Sequence, residues 1–265
     1  MYRKHFGLTR IPFAKEIEPD DLFTTASYTE LELRLKHLFE MRGIGLVTGE
    51  SGCGKTTAIR RVVSGLHAGL YKPIYVCHTT GNIMDVYKTI AWELGLACER
   101  SRAALFRQIR AEVTRLCSES RTRPIFILDE AQNLRSDVLE DLRLLTNYQM
   151  DAENRVCILF LGQPELRRRL SMAAYDSLSQ RIVARFHMTG LGRDELEPYL
   201  THLLRRAGTE LQLFDPPAQE ALFQAASGLP RKINGLAHHC LMAAALARAK
   251  TVNTEHVHAA LTEVS

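Results

Sequence analysis

Several absences narrow this sequence before any motif is read. No apolar run in its 265 residues approaches the roughly 20 that a membrane-spanning helix needs, so a soluble chain without a membrane partner is expected. The opening, Met-Tyr-Arg-Lys-His, lacks the apolar stretch of a secretory signal, which points to the cytoplasm. The six cysteines, at 53, 77, 98, 117, 157 and 240, form no Cys-x-x-Cys pair and have no histidine at metal-ligand spacing. Neither a zinc site nor a disulfide framework is expected, and the thiols read as small buried or half-buried groups. His238-His239 and His256-x-His258 are unaccompanied by carboxylates or cysteines and read as structural residues. There is one tryptophan, Trp92, read as core, and there is no internal repeat or low-complexity segment. Neither sign of charge dominates: 34 Lys and Arg against 30 Asp and Glu leave +4, which is neutral on whether the partner is a polyanion.

What is present supports a substantial core. Hydrophobic residues make up 46%, and the length suits a large domain followed by a small one. Short β-branched or apolar runs preceded by turn residues occur at 44–47, 74–77, 125–128, 156–161 and 184–188. Between them lie stretches with helical spacing, such as Leu105, Ile109, Val113 and Leu116, or Val138, Leu142, Leu145 and Tyr148. Strands alternating with helices predict an α/β fold in which a parallel sheet is covered on both faces. After about residue 190 only helical patterns remain, at 193–207, 217–226, 230–249 and 254–261, with prolines at helix starts and Thr254 as an N-cap. The expected organisation is an N-terminal segment over 1–40, a core over 41–190 and a helical lobe over 191–265.

Two motifs carry chemistry. Gly49-Glu50-Ser51-Gly52-Cys53-Gly54-Lys55-Thr56 has glycines where backbone N–H groups must wrap phosphates, a lysine for the β and γ phosphates and a hydroxyl for Mg²⁺. It follows a strand candidate and opens a helical pattern through Thr57, Ala58, Ile59, Val62 and Val63, so phosphate would sit at a helix N-terminus. Some 70 residues later, Ile125-Phe126-Ile127-Leu128 ends in Asp129-Glu130, two carboxylates at the edge of the sheet. Asp129 together with Thr56 would hold Mg²⁺, and Glu130 would orient and deprotonate water.

P-loop, second strand, Asp-Glu on the third, fourth strand and helical lid resemble the AAA+ superfamily, which implies a three-layer αβα domain with a five-stranded parallel sheet and a small α-helical lid. Asp129-Glu130-Ala131-Gln132-Asn133-Leu134, Leu142-Arg143-Leu144-Leu145-Thr146-Asn147, Leu161-Gly162-Gln163-Pro164-Glu165-Leu166 and Gly228-Leu229-Pro230-Arg231-Lys232-Ile233-Asn234 are similar to the ExeA-like branch. So is the opening, Phe6-Gly7-Leu8 followed by Pro12-Phe13. That branch holds secretion ATPases and transposition helper ATPases of the TniB, TnsC and Mu B kind. Secretion members usually continue into a membrane-spanning segment and a peptidoglycan-binding module, so a chain ending at Ser265 suits the helpers better.

The resemblance implies ATP and Mg²⁺ as cofactors and a homo-oligomer, ring or helical filament, as the working form. It makes Gln163 the sensor of the γ-phosphate and Arg231 the lid sensor. It places the arginine finger, which reaches a neighbouring subunit's nucleotide, at Arg181, with Arg185 as the alternative. Phe6, Ile11, Pro12 and Phe13 are candidates for the adenine pocket, or equally for a segment that packs on the core. The polar loop of His78, Thr79, Thr80, Gly81 and Asn82 lies where filament-forming relatives meet double-stranded DNA, a backbone contact without sequence preference. The arginines at 100, 102, 107, 110 and 115, and the run at 167, 168 and 169, are weaker candidates for such contacts and read first as solvated faces. The implied function is an ATPase that assembles on DNA and recruits or regulates a transposase. The rivals are a secretion assembly ATPase and a DnaA-like or helicase-loader ATPase.

Overall fold

The computed structural model describes residues 2–77 and 79–264. In chain order the strands are β1 (Ile44–Thr48), β2 (Tyr71–Val76), β3 (Arg123–Leu128), β4 (Cys157–Gly162) and β5 (Ile182–His187). The helices are α1 (Tyr2–His5), α2 (Ala26–Met41), α3 (Lys55–Ser64), α4 (Ile83–Leu94), α5 (Arg102–Ser118) and α6 (Ser136–Leu145). They continue with α7 (Pro164–Leu170), α8 (Asp176–Ser179), α9 (Arg193–Arg206), α10 (Pro216–Ala226), α11 (Pro230–Leu246) and α12 (Thr254–Val264). The chain divides into two compact units.

The larger unit, residues 27–49 and 55–188, contains all five strands, ordered β2-β3-β4-β1-β5 and paired in parallel throughout. Burial follows position. The three central strands are buried almost end to end, because a parallel sheet has helices on both faces, whereas β2 and β5 at the edges are only partly buried. Strand β2 begins three residues before its apolar run because Pro73, which donates no N–H, is tolerated at an edge. The expected faces of α5 and α6 are buried: Leu105, Ile109, Val113 and Leu116 on one, Val138, Leu142 and Leu145 on the other. Asn82 caps α4 in a capping box with Asp85, and Gly95, at φ 81°, ends it in the left-handed region.

Two expectations need correction here. Trp92 is 74% exposed, because α4 buries the stripe of Ile83, Val86, Tyr87, Ile90, Ala91 and Leu94, and position 92 falls outside it. Cys77 and Cys98 are exposed; Cys117 is half-buried and Cys53, Cys157 and Cys240 are buried. Burial pushes the Cys157 and Cys240 thiols up to about 12, which leaves them inert at neutral pH.

The smaller unit comprises the chain up to Ala26, the loop Glu50–Gly54 and everything from Thr189. Its core is built by Leu196, Leu200, Leu203 and Leu204 of α9, Leu222 of α10, Ile233, Leu236 and Leu241 of α11, and Val257 of α12. The N-terminal segment contributes Tyr2, Phe6, Leu8 and Phe13 to that same cluster, with the Phe13 ring edge-on to Phe214. The stretch expected as one segment over 1–40 is therefore divided at Ala26.

Candidate nucleotide-binding site

The loop between β1 and α3 has the backbone that a phosphate cradle requires. Gly52 and Gly54 lie at φ 84° and 100°, a region costly for residues with a Cβ, and the Cys53 N–H donates to the Glu50 carbonyl at 3.2 Å. Lys55 is 6% exposed, and its ammonium donates to the Gly49 carbonyl at 2.7 Å. Thr56 and Thr57 follow in the first turn of α3.

Asp129, 5% exposed, closes β3 with both carboxylate oxygens engaged. Oδ2 accepts from the Thr56 hydroxyl at 2.8 Å and from the Tyr75 hydroxyl at 2.7 Å, while Oδ1 accepts from the Glu130 N–H at 2.9 Å. The hydroxyl and carboxylate predicted to share a Mg²⁺ are thus neighbours. A hydroxyl beside a carboxylate is the hard oxygen pair that Mg²⁺ takes while phosphates and waters complete its shell. No group of three or more His, Cys, Asp or Glu gathers at a metal-sized site among the described residues. Burial, and then the bond to Asp129, push the Tyr75 phenol up from its ordinary value, so it stays a donor. Tyr75 is an unforeseen member of the site. A polar residue on the strand next to β3 was its only signal.

Glu130 follows in a left-handed conformation, φ 50° and ψ 40°, and is exposed. Its carboxylate accepts from Gln132 Nε2 at 2.6 Å, and its carbonyl accepts from the Thr79 hydroxyl at 3.1 Å. Gln163 follows β4 directly as the N-cap residue of α7, and its N–H donates to Gln132 Oε1 at 3.1 Å. The larger unit thus brings Lys55, Thr56, Asp129, Glu130 and Gln163 to the carboxyl ends of its central strands, where ligands of such sheets bind.

Within the smaller unit, Arg231 opens α11 against the loop. Its N–H donates to the Gly52 carbonyl at 3.2 Å and its guanidinium reaches the Ser51 hydroxyl at 3.4 Å. Phe6 and Phe13 are buried in the helical core, so their rings are occupied by packing; Ile11 and Pro12 instead line a cavity of about 320 Å³ with Arg3, Arg10, Leu203 and Arg206. Of the two readings for this segment, packing describes Phe6 and Phe13; Pro12 is buried as well, and Ile11 is exposed.

Arg181 precedes β5 and is tied to the loop before β4, pairing with Asp151 at 2.5 Å and meeting Asn147 at 3.4 Å. Arg185 lies on β5 and donates to the Ser179 carbonyl and hydroxyl, each at 2.8 Å. In the polar loop His78 lies outside the described residues. Thr79, expected to meet DNA, is 1% exposed and spent on the Glu130 carbonyl; this corrects the expectation, since a buried hydroxyl presents nothing to a phosphate. Thr80 is exposed, and the Asn82 side-chain oxygen is used in capping α4.

Residues 39–170 match the family described as AAA domain. General secretion pathway protein A of Aeromonas hydrophila is 32% identical over 247 residues, 92% of this chain, and the chain spans 45% of that protein's length. Among solved structures, Cdc6p from Pyrobaculum aerophilum matches with a TM-score of 0.72 at 15% identity, over 96% of this chain and 70% of that one. The Aeropyrum pernix ORC1 protein in complex with DNA matches with a TM-score of 0.66 at 21% identity, over 96% and 68%. At such identities the structural likeness speaks for the fold. No described helix is long and apolar enough to cross a membrane. With a five-stranded parallel sheet in this order and a match to the AAA domain over residues 39–170, the chain has the AAA+ P-loop fold, and its sequence is similar to general secretion pathway protein A.

Proposed function

We propose that this chain is a Mg²⁺-dependent ATPase whose nucleotide state controls assembly on double-stranded DNA, where it recruits or regulates a transposase. The observation that carries the ATPase reading is the 2.8 Å bond between Thr56 and Asp129, which sets the two Mg²⁺ ligands side by side. The loop N–H groups and Lys55 would hold the phosphates, and Thr56 and Asp129 would hold the cation, which would neutralise phosphate charge. Glu130 takes the proton of the attacking water, Gln163 senses the γ-phosphate and Arg231 couples α11 to the loop. Arg181 of a neighbouring subunit completes the site; surface pairs such as Arg181–Asp151 are worth about 0–1 kcal/mol, so leaving Asp151 costs little. Mixing Arg181→Ala with Lys55→Ala subunits partly restores hydrolysis if the finger acts in trans, and an absence of rescue argues for Arg185 or for no finger.

The DNA reading is supported by likeness to a structure described as ORC1 in complex with DNA and by the exposed Thr80 beside Asn82. A second reading, assembly of a secretion apparatus, is favoured by the 32% identity to general secretion pathway protein A. Duplex binding measured with ATP, with ADP and across a salt series separates the two. Tight, salt-sensitive, ATP-dependent binding to arbitrary sequence is expected from the first, and no binding at moderate salt sinks it. A transposase encoded beside this chain, pulled down only with ATP, tests the remaining step.

A further inference from the structure

We infer that Gln132 is a positioning residue of the hydrolytic site: its side-chain amide ties the carboxylate of Glu130 to the backbone of Gln163, so that the base and the γ-phosphate sensor move together. The inference rests on the proposed ATPase reading.

The amide bridges the two groups. Its nitrogen donates to Glu130 Oε2 at 2.6 Å and its oxygen accepts from the Gln163 N–H at 3.1 Å. The chemistry fixes which end is which, since a carboxylate only accepts and an amide N–H only donates. A bond to a carboxylate at this length is of the strong, charge-assisted kind, and it selects one direction for a side chain that is otherwise exposed.

The surroundings hold Gln132 in place. Glu130 adopts φ 50°, an uncommon conformation for a residue with a Cβ, and it persists only where neighbours over-determine it. They do: Thr79 binds the Glu130 carbonyl, and Arg169 of α7 donates to the carbonyls of Gln132, at 3.2 Å, and Leu134, at 2.6 Å. Gly162 leaves room at the end of β4, where an added Cβ would lie 3.0 Å from Gln132 Oε1 and 2.7 Å from Leu166 Cδ2. A glutamine at 132 that only capped a turn would need neither contact with Glu130 nor this clearance. Because the bridge joins the loop after β3 to the end of β4, a shift of Gln163 on meeting phosphate is passed to Glu130 through one rigid amide.

Two substitutions separate this role from a structural one. Gln132→Ala removes both bonds; Gln132→Glu keeps an acceptor for the Gln163 N–H and replaces the donor facing Glu130 with a second carboxylate. Steady-state ATP hydrolysis, ATP affinity and thermal melts are compared on the full chain, with Glu130→Gln alongside. Both variants are expected to lose about tenfold in kcat with KM and ATP affinity unchanged and the melting temperature near that of wild type. Wild-type kcat in Gln132→Glu would overturn the inference by reducing Gln132 to a partner of the Gln163 backbone, and so would wild-type kcat in both. If Gln132→Glu fails to fold, Gln132→Ala decides on the kcat-against-KM split, a rise in KM alone counting against the inference. Turnover persisting in Glu130→Gln would instead remove the underlying reading, and the inference with it.

Discussion

Gly52→Ala is the substitution whose effect can be worked out most fully. At φ 84° an alanine pays about 1–2 kcal/mol to stay in the left-handed region. Its Cβ would also lie 2.8 Å from the Arg231 Cβ. That atom cannot swing aside like a chain end, because it is fixed to a backbone whose N–H donates to the Gly52 carbonyl at 3.2 Å. Overpacking of this sort adds about 1–3 kcal/mol, for a total on the order of 2–5 kcal/mol. Without ligand the loop can relax by turning its N–H groups away; nucleotide must restore them, so the strain falls on binding. At about 1.4 kcal/mol per decade, the expected loss of ATP or ADP affinity is about 30- to 4,000-fold, read by calorimetric titration. Gly95→Ala is the control: its φ is 81°, but no atom lies within 4 Å of the added carbon. It should lower stability by about 1–2 kcal/mol and leave affinity alone. Gly52→Ala affinity within about threefold of wild type would refute both the cradle and the contact with Arg231.

Other expectations concern packing and pH. Trp92→Ala, at a site 74% exposed, should change unfolding free energy by no more than about 0.5 kcal/mol in a denaturant titration. Ile109→Ala, at a fully buried site, should cost about 2–5 kcal/mol in the same titration. Burial, and then the neighbouring His239, hold His238 below its ordinary value of 6.5. A depressed histidine is protonated more readily unfolded than folded, so its contribution is present above pH 6.5 and is lost as pH falls below it. His238→Gln should therefore flatten the melting temperature between pH 7 and 5; an unchanged slope would contradict this.

Much of the architecture was legible in the sequence, and the reasons are particular. The runs at 125–128 and 156–161 lie in central strands buried on both faces, so every residue there is apolar and the signal is continuous. Edge strand β2 was legible only from Ile74, because Tyr71, Lys72 and Pro73 face partial solvent and break the pattern. The order β2-β3-β4-β1-β5 has no local signature, since pairing between β1 and β4 joins residues more than a hundred positions apart. Residue types at the site could be read from spacing, but not the bonds among them. Tyr75 and Gln132 sit one strand over and two residues on from the carboxylates they engage, a relation that only the fold creates. Trp92 was misplaced because its type favours burial while its position on α4 does not.

The most direct test of the account measures ATP binding and turnover together in the wild type, Lys55→Ala and Glu130→Gln. The wild type should hydrolyse ATP only with Mg²⁺, and Lys55→Ala should lose affinity. Glu130→Gln should bind ATP as the wild type does while turnover falls by at least about a hundredfold. Wild-type turnover in Glu130→Gln, or undiminished nucleotide affinity in Lys55→Ala, would contradict it.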